Sequence, residues 1–187
     1  MKTPDKTDAG NGSYGICRVI DAFCSPSPDP KRSPNSAASL ANQNQRIAIM
    51  DITKLPFNQF IGVEHSQRES FVLSLPAGDH YTNHLGTVHA GALMALAEAT
   101  SGEVLLRAIG HFAETIVPVV RRFECKFRKP ATGSITARAA ISDSARDQLL
   151  SDISTKRRGS IEITVDIHDE ADLHCLSATV EWFIAQR

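Results

Sequence analysis

One long helical run stands among segments of a different period, and that contrast constrains the fold most. From near His89 to near Ile109 about twenty residues read as helix, ending at Gly110 in a C-cap position. Downstream, "SIEITVDIHDE" alternates strictly, with Ile161, Ile163, Val165 and Ile167 on one side and Glu162, Thr164, Asp166 and His168 on the other. "LHCLSATVEWFIA" puts Leu176, Ala178, Val180, Trp182 and Ile184 on one face. "IVPVVRRFECKFRKP" sets Phe123, Cys125 and Phe127 against Arg122, Glu124, Lys126 and Arg128. Period two is the signature of a half-buried strand. Short turns such as "DEAD" join these strands, so the pairing is antiparallel.

Upstream of the helix the pattern predicts a first strand over roughly Gly62 to Leu75, clearest in "SFVLSLP", after an amphipathic turn bearing Leu55, Phe57, Phe60 and Ile61. "GSITARAAISD" is a further strand. "SARDQLLSDISTKRRG" places Leu149, Leu150 and Ile153 at helical spacing, which fits a short helix or an ordered loop. The fold class is therefore α+β: an antiparallel sheet whose apolar face is covered by one central helix. That helix is rich in Ala and Gly (Ala90, Gly91, Ala92, Ala95, Ala97, Ala99), and small residues let it lie close to a curved sheet.

Residues 1–49 differ in kind. They hold five of the nine prolines and the cluster "CSPSPDPKRSPNSAAS", so they read as a disordered Ser/Pro-rich extension. A turn of helix over Ile16 to Cys24 is the one exception. A secretory signal would need an apolar core, and a mitochondrial presequence would lack Asp5, Asp8, Asp21 and Asp29. A flexible tail and an extension ahead of a start at Met50 both stay open. Residues 50–187 form the ordered domain.

Composition excludes several classes of function. A net charge of −1 gives no argument for nucleic acid or a membrane surface, and no apolar run reaches membrane-spanning length. Cys17, Cys24, Cys125 and Cys175 are scattered without a CxxC pair, which suits reduced thiols, a cytoplasmic setting and no zinc. There is no P-loop, no dinucleotide glycine pattern and no G-x-S-x-G elbow. No cofactor and no metal are expected.

The chemistry-bearing stretch is "NHLGTVHAGALMALAEATSG", Asn83 to Gly102. A helix starting at His89 to Gly91 offers backbone N–H groups and a positive dipole end, suited to a developing oxyanion. Glu98 follows eight residues after Ala90, about 12 Å along the axis at about 1.5 Å per residue. One reacting carbon does not reach both groups of one helix. Two antiparallel helices from two subunits would bring them together. Each residue also has a plainer reading. Glu98 can be a helix acid paired with Arg121 or Arg122. Asn83 can be a turn residue. His89 can brace the loop, and His84 suits a surface loop. Arg128, Lys129, Arg157 and Arg158 suit either a solvated edge or the phosphates of a ligand.

The ordering and this motif resemble the hotdog-fold acyl-CoA thioesterases. In the phenylacetyl-CoA and medium-chain branch the pattern is Asn, His-Gly-Gly six residues on, and an Asp or Glu eight residues after the first glycine. Asn83, His89, Gly91 and Glu98 match, and Ala90 stands at the first glycine. The resemblance is nearest to a hotdog subgroup of unknown function whose helix reads "AGAL…LAEA.SG", and it covers residues 50–187. It implies hydrolysis of an acyl-CoA thioester to acid and coenzyme A, with Glu98 as general base or nucleophile. Ala90 and Gly91 N–H would be oxyanion donors, helped by Asn83 and His89. Arg128, Lys129, Arg157 and Arg158 would face the coenzyme phosphates, in a homodimer or homotetramer with composite sites. Ala90 keeps the N–H but adds a methyl that narrows the approach. A non-catalytic module binding acyl-CoA and a hotdog hydratase or dehydratase are the alternatives.

Overall fold

The computed structural model describes residues 50–187. The Ser/Pro-rich extension and its turn of helix over Ile16 to Cys24 lie outside the described residues. The elements in chain order are α1 (Pro56–Phe60), β1 (Glu64–His65), β2 (Leu73–Leu75), α2 (Ala90–Ile109), β3 (Ile116–Phe127), β4 (Ile135–Ala140), α3 (Asp143–Lys156), β5 (Arg158–Asp169) and β6 (His174–Gln186). The strands form one antiparallel sheet in the order β1-β2-β4-β5-β6-β3.

The β5–β6 hairpin is the backbone of the sheet. Its turn is held by Asp169, whose Oδ1 accepts from Ala171 N at 3.0 Å and Leu173 N at 2.9 Å. Strict alternation then buries Ile161, Ile163, Val165 and Ile167 on β5 and Leu176, Ala178, Val180, Trp182 and Ile184 on β6. Helix α2 lies on this face, burying Leu93, Leu96, Leu105, Leu106 and Ile109. A Cβ at Gly102 would stand 3.4 Å from the Trp182 ring, so helix and sheet meet almost backbone to ring there. Gly110, at φ 53° and ψ −118°, ends the helix in a conformation glycine supplies, and its N–H donates to Leu106 O. The segment after β4 is a helix, α3, capped by Ser142 and packed through Leu149 and Ile153.

Two expectations need correction. The strand read over Gly62 to Leu75 is two short strands that pair with each other, Glu64 with Ser74 and His65 with Leu73. Between them the polar run Ser66 to Ser70 turns back: Ser66 Oγ accepts from Arg68 N at 3.1 Å and Ser70 sits at φ 67°. That run has no apolar alternation to hold it extended. On β3, the expected inner face is only partly covered. Phe123 and Cys125 are half-buried and Phe127 is exposed, because β3 is an edge strand with a bulge between Val120 and Arg122.

Candidate active site

The front of α2 is built by a short loop. Asn83 Oδ1 accepts from Leu85 N at 2.8 Å and Thr87 N at 3.3 Å, and its Nδ2 donates to Thr87 Oγ1 at 2.9 Å. An Asn side chain satisfying its own loop is what makes this residue type favoured in turns. One amide proton is left over, since Nδ2 carries two. The loop is pinned on both sides, by His89 N donating to Tyr81 O and Val88 N to Ala131 O. Asn83 therefore organises the loop and also faces the cleft described below.

His89 is the N-cap of α2. Its Nδ1 accepts from Gly91 N at 2.9 Å, so the proton of a neutral ring sits on Nε2. This corrects one expectation: the Gly91 N–H is occupied by the cap and is not a free oxyanion donor. Ala90 N–H has no acceptor among the described residues. It remains the donor at this helix end.

Ala90 opens onto a cleft of about 320 Å³ between the helix start and the end of β3. Asn83, Thr87, Val88, Leu93, Phe127, Arg128, Lys129, Pro130 and Ala131 line it. The floor is apolar and the rim carries two cations. Of the wall residues overlooked in the sequence, Leu93 had a visible signal, since it lies three positions after Ala90 and shares its helical face.

Glu98 does not line this cleft. It is half-buried at mid-helix, and its carboxylate has neither a hydrogen-bond nor an ion-pair partner among the described residues. Burial raises its pKa above the usual carboxylate range. The alternative pairing with an arginine is absent. Arg122 meets Glu162 at 2.6 Å, with Glu181 and Glu124 further off, and Arg121 stacks over Phe183. Glu98 follows Gly91, Met94 and Ala95 along a stripe of the helix that the chain's own sheet leaves uncovered.

The four basic residues do not come together within one chain. Arg128 and Lys129 follow the end of β3. Arg158 pairs with Ala185, which pairs with Val117 at the start of β3. At about 3.3 Å per residue the two pairs lie roughly 30 Å or more apart. Arg157 ends α3 in the left-handed region, and its Nη2 donates to Arg187 O at 3.3 Å. The cleft keeps Arg128 and Lys129 only.

An antiparallel sheet wrapped on one long helix is the architecture of the hotdog class. The family model described as "Domain of unknown function (DUF4442)", a hotdog thioesterase-like family, matches residues 53–184, and the chain belongs to that family. Among solved structures it is similar to a Pseudomonas aeruginosa protein of unknown function described as a probable thioesterase, with 23% identity, a TM-score of 0.62, and coverage of 73% of this chain and 91% of that one. A Chlorobaculum tepidum protein of unknown function gives 21% identity and a TM-score of 0.62 over 72% of this chain and 88% of that one. A Haemophilus influenzae thioesterase gives 19% identity and a TM-score of 0.51 over 81% and 93%. These likenesses bear out the hotdog fold. No curated protein matches the chain. Among the described residues no helix is long and apolar enough to cross a membrane, and no group of three or more His, Cys, Asp or Glu is placed to hold a metal.

Proposed function

We propose that the chain is an acyl-CoA thioesterase whose functional unit is residues 50–187. The observation that carries this reading is Glu98, a half-buried carboxylate with a raised pKa and no partner among the described residues, on the same helix whose first N–H has no acceptor among them. A carboxylate of raised basicity activates water at the thioester carbon or attacks it directly. The Ala90 N–H stabilises the oxyanion that forms on the thioester oxygen. With water as nucleophile, collapse of the tetrahedral adduct expels the coenzyme A thiolate and frees the acid. With Glu98 as nucleophile, it expels the thiolate and leaves an acyl-Glu98 anhydride, which water then hydrolyses to the acid and the free Glu98 carboxylate.

The eight-residue separation requires two chains, about 12 Å being too far for one carbon to reach both groups. The proposed assembly is a homodimer at least. It is supported by β3, an unpaired edge of twelve residues with Val117, Val119 and Val120 exposed, the kind of edge that proteins cover. The free thiols of Cys125 and Cys175 suit a reducing, cytoplasmic compartment. The coenzyme contacts come from Arg128 and Lys129 of one subunit, and Arg157 and Arg158 contribute only across an interface.

The rival is a hotdog module that binds an acyl-CoA without turnover. It is favoured by the Ala90 methyl and by the cap that occupies Gly91 N–H. Thiol release over a panel of straight-chain and aryl acyl-CoAs separates the two. Turnover abolished in Glu98→Gln supports the enzyme; coenzyme-dependent binding with no turnover in the wild type supports the module.

A further inference from the structure

Arg128 has a fixed attitude that its role in the cleft alone does not require. Its Nε donates to Ser177 Oγ at 2.9 Å. Ser177 sits on the outer face of β6, opposite Lys126 on β3 and Asp166 on β5. Its hydroxyl proton goes to Asp166 Oδ1 at 2.8 Å. His174 Nε2 lies 2.9 Å from Ser177 Oγ and 3.1 Å from Asp166 Oδ1. A serine oxygen has one proton to give and two lone pairs. With the Ser177 hydroxyl donating to Asp166, one lone pair accepts from Arg128 Nε, and His174 Nε2–H is shared among Ser177 Oγ, Asp166 Oδ1 and Leu176 O, the last at 3.1 Å. The direction from Arg128 through Ser177 to Asp166 is thereby set, and Asp166 is in turn flanked by Arg138 Nη2 at 3.8 Å.

The two Nη groups of Arg128 have no partner among the described residues. A guanidinium held by Nε presents those groups as a planar fork, the geometry that meets a phosphate bidentately. The arrangement spends one donor on orientation and leaves four for a ligand. Arg128 also lines the cleft onto which the Ala90 N–H opens.

We propose that Ser177, oriented by Asp166 and His174, is a positioning residue that sets Arg128 to receive a phosphate of the coenzyme portion of the substrate. This rests on the thioesterase reading and goes beyond it by assigning part of the outer sheet face to coenzyme recognition. The carboxylate of Asp166 faces the serine, so the phosphate meets Arg128 on its Nη side.

The test compares one acyl group on two carriers: coenzyme A, with its phosphates, and N-acetylcysteamine, with none. Ser177→Ala should raise KM for the acyl-CoA about three- to tenfold at unchanged kcat and leave the cysteamine thioester untouched. Ser177→Thr, which keeps the hydroxyl on a strand, should restore the wild-type KM. Arg128→Ala should raise KM for the acyl-CoA at least as much, and adding Ser177→Ala to it should cost nothing further, since the two act as a unit. Asp166→Asn serves as the second variant should Ser177→Ala not fold.

An equal loss on both carriers, or additive effects in the double variant, would overturn the proposal. A wild type that hydrolyses neither thioester removes the catalytic reading but not this one. Calorimetry with coenzyme A alone then decides it, by whether Ser177→Ala weakens binding to the same extent. No coenzyme A binding by the wild type overturns both.

Discussion

Helix α2 is two halves with opposite habits. From Ala99 to Ile109 eight of the eleven residues are buried, and each polar side chain has a partner. Thr100 Oγ1 donates to Leu96 O, Trp182 Nε1 donates to Ser101 Oγ, and Ser101 Oγ donates to Glu98 O. Glu103, buried to 8% exposure, is gripped by Arg107 through Nε at 2.9 Å and Nη2 at 2.8 Å. From Ala90 to Glu98 the helix is small-sided and half-covered, and its one acid is alone. One glutamate is paired with an arginine, and another, five residues away, has no partner among the described residues. A helix that solves its polar groups in one half has left the other half for a ligand or a second subunit.

Removing the unpaired acid has the largest expected effect. Glu98→Gln should lower thiol release about a hundred- to ten-thousandfold, the usual contribution of a positioned general base. In the wild type the acid limb of the kcat/KM–pH profile should lie above the ordinary glutamate pKa, because burial raises it, and activity should fall as pH drops through that raised value. The linkage has a fixed sign. A carboxylate whose folded pKa is raised costs stability as pH rises through that value, and costs nothing below its unfolded pKa. Glu98→Gln should therefore melt higher than wild type near pH 7, the gain vanishing in acid. A lower melting temperature at neutral pH would mean that another chain supplies a donor to Glu98.

Next in size is the helix start. Ala90→Pro removes the free N–H, and proline is tolerated in the first turn of a helix. Losing one oxyanion donor costs about a hundredfold or more. If the acid and the donor come from different subunits, the two dead variants should complement each other. Mixed dimers carry one site with both lesions and one with neither. Refolding equal amounts together should restore up to about a quarter of wild-type sites by random pairing within a two-fold assembly. Heterodimers that form without activity would show that the two groups act within one chain.

The two halves also differ in how far the sequence discloses them. The helix, its ends and the inward faces of β5 and β6 were legible because burial there follows strict period, from Ile161 to Ile167 and from Leu176 to Ile184. The family motif was legible as residue types at fixed spacing. What spacing does not carry is the direction of a hydrogen bond: Gly91 N–H looked free until the His89 ring was seen folded back on it. Nor does it carry distance across a sheet. Arg128 and Arg157 look alike as basic residues, and only the register of β3, β6 and β5 puts them at opposite ends. The single strand read over Gly62 to Leu75 failed because Ser66 and Ser70 build a turn from local polar groups, a signal that competes with the apolar residues on either side. Ser177 was passed over because a serine on a strand's polar face carries no mark of what it orients.

A medium effect is expected at the joint between the halves. Ser101→Ala removes the acceptor of the buried Trp182 N–H, and an orphaned buried donor costs about 1–3 kcal/mol. It also frees the Glu98 carbonyl from its side-chain bond. Chemical denaturation should report the loss, with thiol release falling far less than in Glu98→Gln.

The smallest effect closes the comparison, because it is the same substitution on the paired acid. Glu103→Gln keeps the shape and an Oε1 that can still accept from both Arg107 Nε and Nη2, but it loses the charge. Arg107 is more than half exposed and returns readily to water, so the uncompensated cation costs little. The expected loss is about 0.5–1.5 kcal/mol, a modest sum for an i,i+4 pair with one partner buried. Thiol release should be unchanged at temperatures well below melting. Glu98→Gln and Glu103→Gln should thus move stability in opposite directions near pH 7 and differ in activity by two orders of magnitude or more, as expected for a catalytic base. If both variants lost stability and neither lost activity, Glu98 would be an ordinary helix acid, and the division of α2 into a settled half and an open half would have no bearing on catalysis.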